Sequence, residues 1–292
     1  MSPRMIDSHN HTMHFSIDGK QTLDELVANA LEQGLRGVAV TEHYDKDVID
    51  GFFQVGVSPV DSLPQPDEWV FNVEAYMNLL DEKKGQLAKS HPGFELLSGI
   101  ELGYMPYLAE ELDRLVEQYP FDIVIAAVHC VDYRDLFHYP RFYDDDKVTS
   151  YGRYLDVIIE MLKSQHNFDV LAHYDYVTRY APYADPLLRY SDFPERFDEI
   201  FRLLITDGKS LEINTNTRHS MVQRGLADPG LPDEDIVRRY LELGGKMLTL
   251  SSDSHRGGGV GVYFDETIDW LKELGVSYLT TFRERQPIIL SL

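Results

Sequence analysis

Short apolar runs alternate with longer segments of helical spacing along the whole chain. The first run is Met5-Ile6-Asp7. Thr22 then opens a helix, with Glu25 three residues on completing a capping box, and Leu23, Leu26, Val27, Ala30 and Leu31 form its apolar stripe. Gly34 closes it. Val38-Ala39-Val40 is the second strand. From about Gly51 to Trp69 the pattern lapses: Pro59, Pro64 and Pro66 stand among Phe52, Phe53 and Trp69. This reads as a long ordered loop or lid, with core packing of its aromatic residues weighing slightly above a lid or an interface. A helix over 74–89, a strand over 95–100, a short helix over 111–117 and a strand over 122–128 follow. The second half gives helix 150–166, strand 169–172, helix 195–207, strand 210–213, helix 233–243, strand 246–251 and helix 265–274. Strands alternating with helices predict a parallel sheet with crossover helices. With no linker, repeat or low-complexity tract, residues 1–292 read as one domain with a loop insertion around 50–70.

Composition narrows the classes of function. The 292 residues are 43% hydrophobic and 26% charged, which suits a globular α/β chain rather than a disordered one. No run approaches the roughly 18–20 apolar residues of a membrane helix. The opening Met1-Ser2-Pro3-Arg4-Met5 lacks the apolar segment of a secretory signal, so a cytoplasmic protein with no membrane partner is expected. The single cysteine, Cys130, excludes an internal disulfide. It ends an apolar run beside His129, and adjacent strand residues face opposite sides, so it reads as a packed hydrophobe rather than a nucleophile. A formal charge of -22 repels a polyphosphate backbone, and nucleic acid is not expected as a partner.

The candidate chemistry lies at the ends of the strands. Strand one runs into His9-Asn10-His11, strand two into Glu42-His43 and strand three into Glu101. Strand four ends in His129, strand five in His173 and strand seven in Asp253-Ser254-His255. In barrel folds the C-terminal ends of strands carry the active site, so these chain-distant residues converge. His9 and His11, like Asp253 and His255, are two apart and share one face of an extended segment. A lone histidine at a strand end is more often structural. So many strand ends carrying one indicate a metal cluster instead. The donors exceed one ion's coordination number and predict two or three divalent ions, Zn, Mn or Fe, with a carboxylate bridging. His91, His138, His166 and His219 read as structural or solvated, and His14 is an intermediate case.

Such a cluster supplies hydroxide near neutral pH and clamps phosphate oxygens. Arginine, with its forked donors, suits the oxygens that metals leave uncovered. Arg179, six residues after His173, is the strongest candidate; Arg256, Arg218 and Arg141 follow, and Arg134 is weakest. Asp175, two residues after His173, is a further candidate, open between supporting a ligand and acting as a general acid; the substrate that the resemblance below implies adds a third role, binding a cationic group. No serine elbow, phosphate-binding glycine loop or dinucleotide fingerprint is present. Gly257-Gly258-Gly259 reads as a flexible loop over the site.

These residues resemble the motifs of the PHP (polymerase and histidinol phosphatase) superfamily. The matching runs are Asp7-Ser8-His9-Asn10-His11-Thr12 with Phe15-Ser16-Ile17-Asp18-Gly19, Thr41-Glu42-His43, Gly99-Ile100-Glu101, Ala127-Val128-His129, Leu171-Ala172-His173 and Ser252-Asp253-Ser254-His255. They occur in order from residue 5 to about 285. Within the superfamily, His173 through Arg179, Glu212-Ile213-Asn214-Thr215 and Thr280 through Pro287 are similar to the stand-alone histidinol-phosphate phosphatases. The resemblance implies a distorted (β/α)7 barrel with a trinuclear site at the C-terminal ends of its strands. One metal would use His9, His11, Glu101 and Asp253; a second Glu101, His129 and His173; a third Asp18, His43 and His255, with His14 competing for the place of Asp18. Asp253, His255, Arg179 and Asp175 are then the expected catalytic residues, with Arg179 on the phosphate. The expected reaction is hydrolysis of a small phosphorylated substrate, L-histidinol phosphate first. Alternatives are another phosphoesterase, acting on a nucleotide, a bisphosphate or an oligonucleotide end, and a non-catalytic metal-binding module. Oligomeric state is not indicated.

Overall fold

A computed structural model describes residues 5–46, 69–132 and 134–292. Its strands are β1 (Ile6–Asp7), β2 (Gly37–Val40), β3 (His43–Tyr44), β4 (Glu95–Gly103), β5 (Ile123–Ala127), β6 (Cys130–Val131), β7 (Arg134–Asp135), β8 (Val170–Leu171), β9 (Ser210–Asn214), β10 (Leu248–Ser251), β11 (Tyr278–Arg283) and β12 (Gln286–Ser291). Seven of them lie side by side in the order β1-β2-β4-β5-β8-β9-β10, each neighbouring pair parallel. The two edges then approach one another. The His11 N–H donates to the Ser254 carbonyl at 2.9 Å, and Asp7 takes the Ser252 N–H at 2.9 Å and its hydroxyl at 2.5 Å. The sheet therefore curls into a nearly closed, distorted (β/α)7 barrel: the alternation predicts its parallel strands, and the family resemblance its closure.

Local sequence explains the elements. Every residue of β5 is buried, as expected for a parallel strand covered on both faces. The helix Leu23–Glu32 carries both bonds of the Thr22–Glu25 capping box, and Gly34 follows with φ 70°. The helix Val73–Ser90 is capped by Asn72, whose side chain accepts from the Ala75 N–H at 2.9 Å. Helix Ala109–Gln118 buries Ala109, Leu112 and Val116 on one stripe. No helix among the described residues is long and apolar enough to cross a membrane.

Four features differ from expectation. β4 runs on to Gly103, so Glu101 lies within the strand rather than past its end, because β3 pairs there (His43↔Glu101). A hairpin, β6–β7, follows β5, and a helix, Asn216–Gln223, follows β9. The chain closes with an antiparallel hairpin, β11–β12. Of the irregular stretch over 51–69, Trp69 is described; the rest lies outside the described residues.

Candidate metal centre

Glu101 is the hub of the site. β3 flanks it on one side and β5 on the other, and the side chain is fully buried. Its Oε1 stands 2.9 Å from Nε2 of His173 and 3.3 Å from Nε2 of His129. Its Oε2 stands 3.4 Å from Nε2 of His9, 3.5 Å from Nε2 of His11 and 2.7 Å from Nδ1 of His43. Asp253, just past β10, presents Oδ1 to the same pair, 3.7 Å from His9 and 3.2 Å from His11. Nearer solvent, Nε2 of His255 lies 3.1 Å from Nε2 of His43, and Asp18 Oδ2 lies 3.1 and 3.6 Å from the two rings. The donor atoms of His9, His11 and Glu101, of Glu101, His129 and His173, and of His11, His43 and His255 each fall within 4.8 Å of one another. All nine side chains singled out by sequence thus meet at one end of the barrel. His14 does not: it is exposed and outside the group.

The donors fit divalent cations. Glu101 Oε2, Asp253 Oδ1, Asp18 Oδ1 and His43 Nδ1 are buried without a hydrogen bond. His43 Nδ1 and Glu101 Oε2 are only 2.7 Å apart and still do not form one. The Nε2 atoms of His9 and His11 face each other at 3.0 Å. A buried polar atom left unpaired costs about 1–3 kcal/mol. Lone pairs aimed at shared points are what a cation relieves, and this mixture of imidazole and carboxylate suits zinc, manganese or iron.

The electrostatics agree. Burial opposes charge on His129, but Asp45 and Glu101 outweigh it and lift its pKa to about 10. Burial likewise opposes charge on His9, and Glu101, Glu212 and Asp253 prevail. Burial would raise Glu101 and Asp253. The imidazoles around Glu101, and His9 with Arg179 around Asp253, hold both well below the usual carboxylate range. Around His9 and His129 a field that favours protons also favours cations, whereas burial lowers the pKa of His11, aided by His43 and His255, and lowers that of His173. The backbone of Asp253 adopts φ 48°, a left-handed conformation seldom used by non-glycine residues, held beside the Asn10–Ser254 bridge.

Two supporting carboxylates were not among the expected site residues, although Glu212 stands in one of the runs that carry the resemblance. Glu212, inside β9, accepts from His9 Nδ1 at 2.8 Å and from the His173 N–H and the Ser251 hydroxyl at 2.5 Å each. It fixes the tautomer that turns His9 Nε2 inward. Its sequence signal is a charged residue inside an otherwise apolar strand. Asp45 bonds His129 Nδ1 at 2.8 Å and occupies the space that Gly103 leaves, where a Cβ would collide with Asp45 Oδ1. Glu42, by contrast, faces away from its neighbour His43, accepting from the Thr12 N–H and from the Thr12 and Ser16 hydroxyls.

A cleft of about 800 Å³ opens over the cluster. Arg179 lines it, buried: Nη2 donates to Asp253 Oδ2 at 2.9 Å, Nε donates to the Thr217 hydroxyl at 3.1 Å, and the guanidinium lies 5.0 Å from the centre of the Tyr176 ring. Arg256 lines the same cleft and is exposed. Arg218 and Arg141 do not line it. Asp228 and Glu266 each hold the Arg218 guanidinium at 2.7 Å, over the Tyr263 ring, and Arg141 is exposed in the turn Pro140–Tyr143. Asp175 shares with Arg218 a separate pocket of about 40 Å³ and not the main cleft. Burial pushes its carboxyl up to about 6, against the pull of Arg179 and a hydrogen bond to Thr217. His138 and His219, read as structural or solvated, do line the cleft, as do Arg224, Lys20 and Asp135.

A parallel barrel with a histidine–carboxylate cluster over the C-terminal ends of its strands defines a class of metal-centred α/β proteins. The chain belongs to the PHP domain family, whose profile matches residues 7–216. It is 28% identical over 282 residues to a histidinol-phosphatase of Lactococcus lactis subsp. lactis, covering 96% of this chain and 94% of that one. It is 26% identical over 264 residues to a probable histidinol-phosphatase of Clostridium acetobutylicum, covering 90% and 91%. Among solved structures it resembles histidinol phosphate phosphatase of Lactococcus lactis subsp. lactis, complexed with zinc, L-histidinol and phosphate. That match has a TM-score of 0.80 at 25% identity and covers 98% of this chain and 99% of the other.

Proposed function

We propose that this chain is a metal-dependent phosphomonoesterase that converts L-histidinol phosphate to L-histidinol, a dephosphorylation step of histidine biosynthesis. The observation that carries this reading is the hub geometry of Glu101, whose two oxygens face separate histidine groups beneath a cleft that also holds Arg179. The similarity to a phosphatase holding zinc, L-histidinol and phosphate, over nearly the whole of both chains, supports it. We take residues 1–292 as one catalytic domain working in the cytoplasm on a small phosphorylated substrate, without nucleic-acid or membrane partners.

His9, His11, Glu101 and Asp253 would hold one ion, Glu101, His129 and His173 a second, and Asp18, His43 and His255 a third. Bound there, divalent ions lower the pKa of water and neutralise phosphate charge. The chain's own residues do the rest. Glu212 and Asp45 lock the rings of His9 and His129 by their outer nitrogens, so the inner nitrogens need no reorientation. Arg179 turns one fork of its guanidinium to Asp253 and borders the cleft, placed to take a phosphate oxygen. Asp175 acts through Thr217, which accepts from Arg179 Nε, and so positions the arginine rather than meeting the substrate.

The test is phosphate release from a panel of phosphomonoesters by zinc-, manganese- or iron-loaded enzyme. kcat/KM for L-histidinol phosphate should exceed that for glycerol phosphate and nucleotide monophosphates by at least ~100-fold, about 2.7 kcal/mol of transition-state discrimination. Turnover no better than that of a generic ester would remove histidinol phosphate as the substrate.

A further inference from the structure

The proposed metal ligands and Arg179 account for one part of the cleft lining; the part around Asp135 and Phe137 has a different chemistry. Among the described residues lining the cleft, the carboxylates are Asp18, Asp45, Asp135 and Asp253. Asp18 faces His43 and His255, Asp45 bonds His129, and Asp253 faces His11. Asp135 is close enough to His129 and Asp45 for their charges to act on it, but the ion pairs of His129 go to Asp45 and Glu101 instead. Asp135 Oδ1 accepts from the N–H groups of Phe137 at 2.8 Å and His138 at 3.2 Å, which fixes the carboxylate in the turn after β7. The Leu136 N–H donates to the His129 carbonyl at 3.1 Å, so this turn is tied to the cluster. From Asp135 a line of rings leads back to the arginine: Phe137 meets Tyr180 at 5.2 Å, Tyr180 meets Tyr176 at 5.5 Å, and Tyr176 lies beneath Arg179. Phe137 is 59% exposed at the cleft, although large aromatic side chains are usually covered, and Arg224 lies over Tyr180 at 5.3 Å.

We propose that Asp135, with the Phe137–Tyr180 ring wall, recognises a cationic nitrogen on the alcohol part of the phosphoester. The inference rests on the phosphoesterase reading of the cleft and deepens it. The cleft already carries Arg179, Arg224, Arg256 and Lys20, a lining that attracts phosphate and repels an ammonium or imidazolium. One carboxylate held rigidly beside aromatic faces reverses that preference around Asp135, through charge pairing and cation–π attraction. A site built to pair with a charged group also rejects analogues that lack it, because its own buried polar atoms are then left unpaired. Asp135 is a specificity residue for the leaving alcohol, not for phosphorus.

The experiment compares kcat/KM for cationic esters (L-histidinol phosphate and phosphoethanolamine) with neutral ones (glycerol phosphate and p-nitrophenyl phosphate) in metal-loaded wild type and Asp135→Asn. Asparagine keeps an oxygen for the two backbone N–H groups and removes only the charge; Asp135→Glu, which keeps the charge, is the companion variant. The cationic-to-neutral ratio should fall at least ~10-fold in Asp135→Asn, mainly through KM, and recover in part in Asp135→Glu. A ratio unchanged by Asp135→Asn overturns the proposal, as does a wild type with no preference for cationic esters. A wild type that prefers another cationic ester to histidinol phosphate, with that preference lost in Asp135→Asn, upholds this inference while the histidinol phosphate assignment fails.

Discussion

At the scale of single residues, the site is organised by pairs of atoms on one side chain that serve different neighbours. Glu101 offers one oxygen to His129 and His173 and the other to His9, His11 and His43. Asp253 turns Oδ1 to the histidines and Oδ2 to Arg179 and to the Asn216 amide at 3.1 Å. His9 presents Nε2 inward while Glu212 holds Nδ1. Two substitutions should therefore fail differently. Glu212→Gln weakens metal affinity about 10–100-fold, read by chelator competition, because His9 loses the carboxylate that fixes its tautomer. Arg179→Ala should keep its metal content and lose about 100-fold in kcat/KM. Normal kinetics in the arginine variant would remove that residue from the site. The candidate histidines were legible because they stand at strand ends, and for His9 with His11 and Asp253 with His255 because i, i+2 spacing marks a shared face. Glu212 and Asp45 were not assigned to the site, because they act through another side chain: Glu212 shows only as a charge inside an apolar strand, and Asp45 has no spacing pattern. Asp175 and Arg218 illustrate the reverse: proximity in sequence to a ligand or strand end suggested the cleft, but their side chains open onto the neighbouring pocket.

At the scale of elements, the alternation of strands and helices was legible throughout, since buried parallel strands and amphipathic helices differ in period. What escaped is where geometry depends on a distant partner. β4 outlasts its apolar run because β3 supplies ladder bonds beside Glu101. The β11–β12 hairpin turns through Glu284 and Arg285 at φ 50° and 63°, where such turns usually carry asparagine and glycine. Asp122 compensates: its Oδ1 accepts from the Glu284 N–H at 3.1 Å and its carbonyl from the Arg285 N–H at 3.0 Å. Its Oδ2 accepts from the Ser98 N–H at 2.8 Å, joining the hairpin to β4. Asp122→Ala should lower stability by about 2–3 kcal/mol, measured by chemical denaturation, because two backbone donors lose their acceptor. A change below about 0.5 kcal/mol would show that the turn holds by itself.

At the scale of the whole molecule, the barrel brings residues from position 9 to position 255 into one cluster, because parallel strands present their C-terminal ends together. Closure between β1 and β10 matters most: it sets His9 and His11 against Asp253, 244 and 242 positions apart in the chain (253 − 9 and 253 − 11). The strand-end positions and the family motifs made this convergence visible in advance, whereas the parts of the cleft lining that come from the β6–β7 hairpin and the helix Asn216–Gln223 had no such signature. We propose that this cluster works only as a metal centre. This is tested most directly by stripping the protein with a chelator, titrating zinc, manganese or iron back, and following bound metal per chain together with phosphate release from L-histidinol phosphate. Stripped protein should lose at least ~1,000-fold in kcat, a barrier increase of about 4 kcal/mol, and regain it in step with two or three ions per chain. Stripped protein that keeps its full rate, or ions that bind without restoring it, would show that the cluster is not the catalytic metal centre.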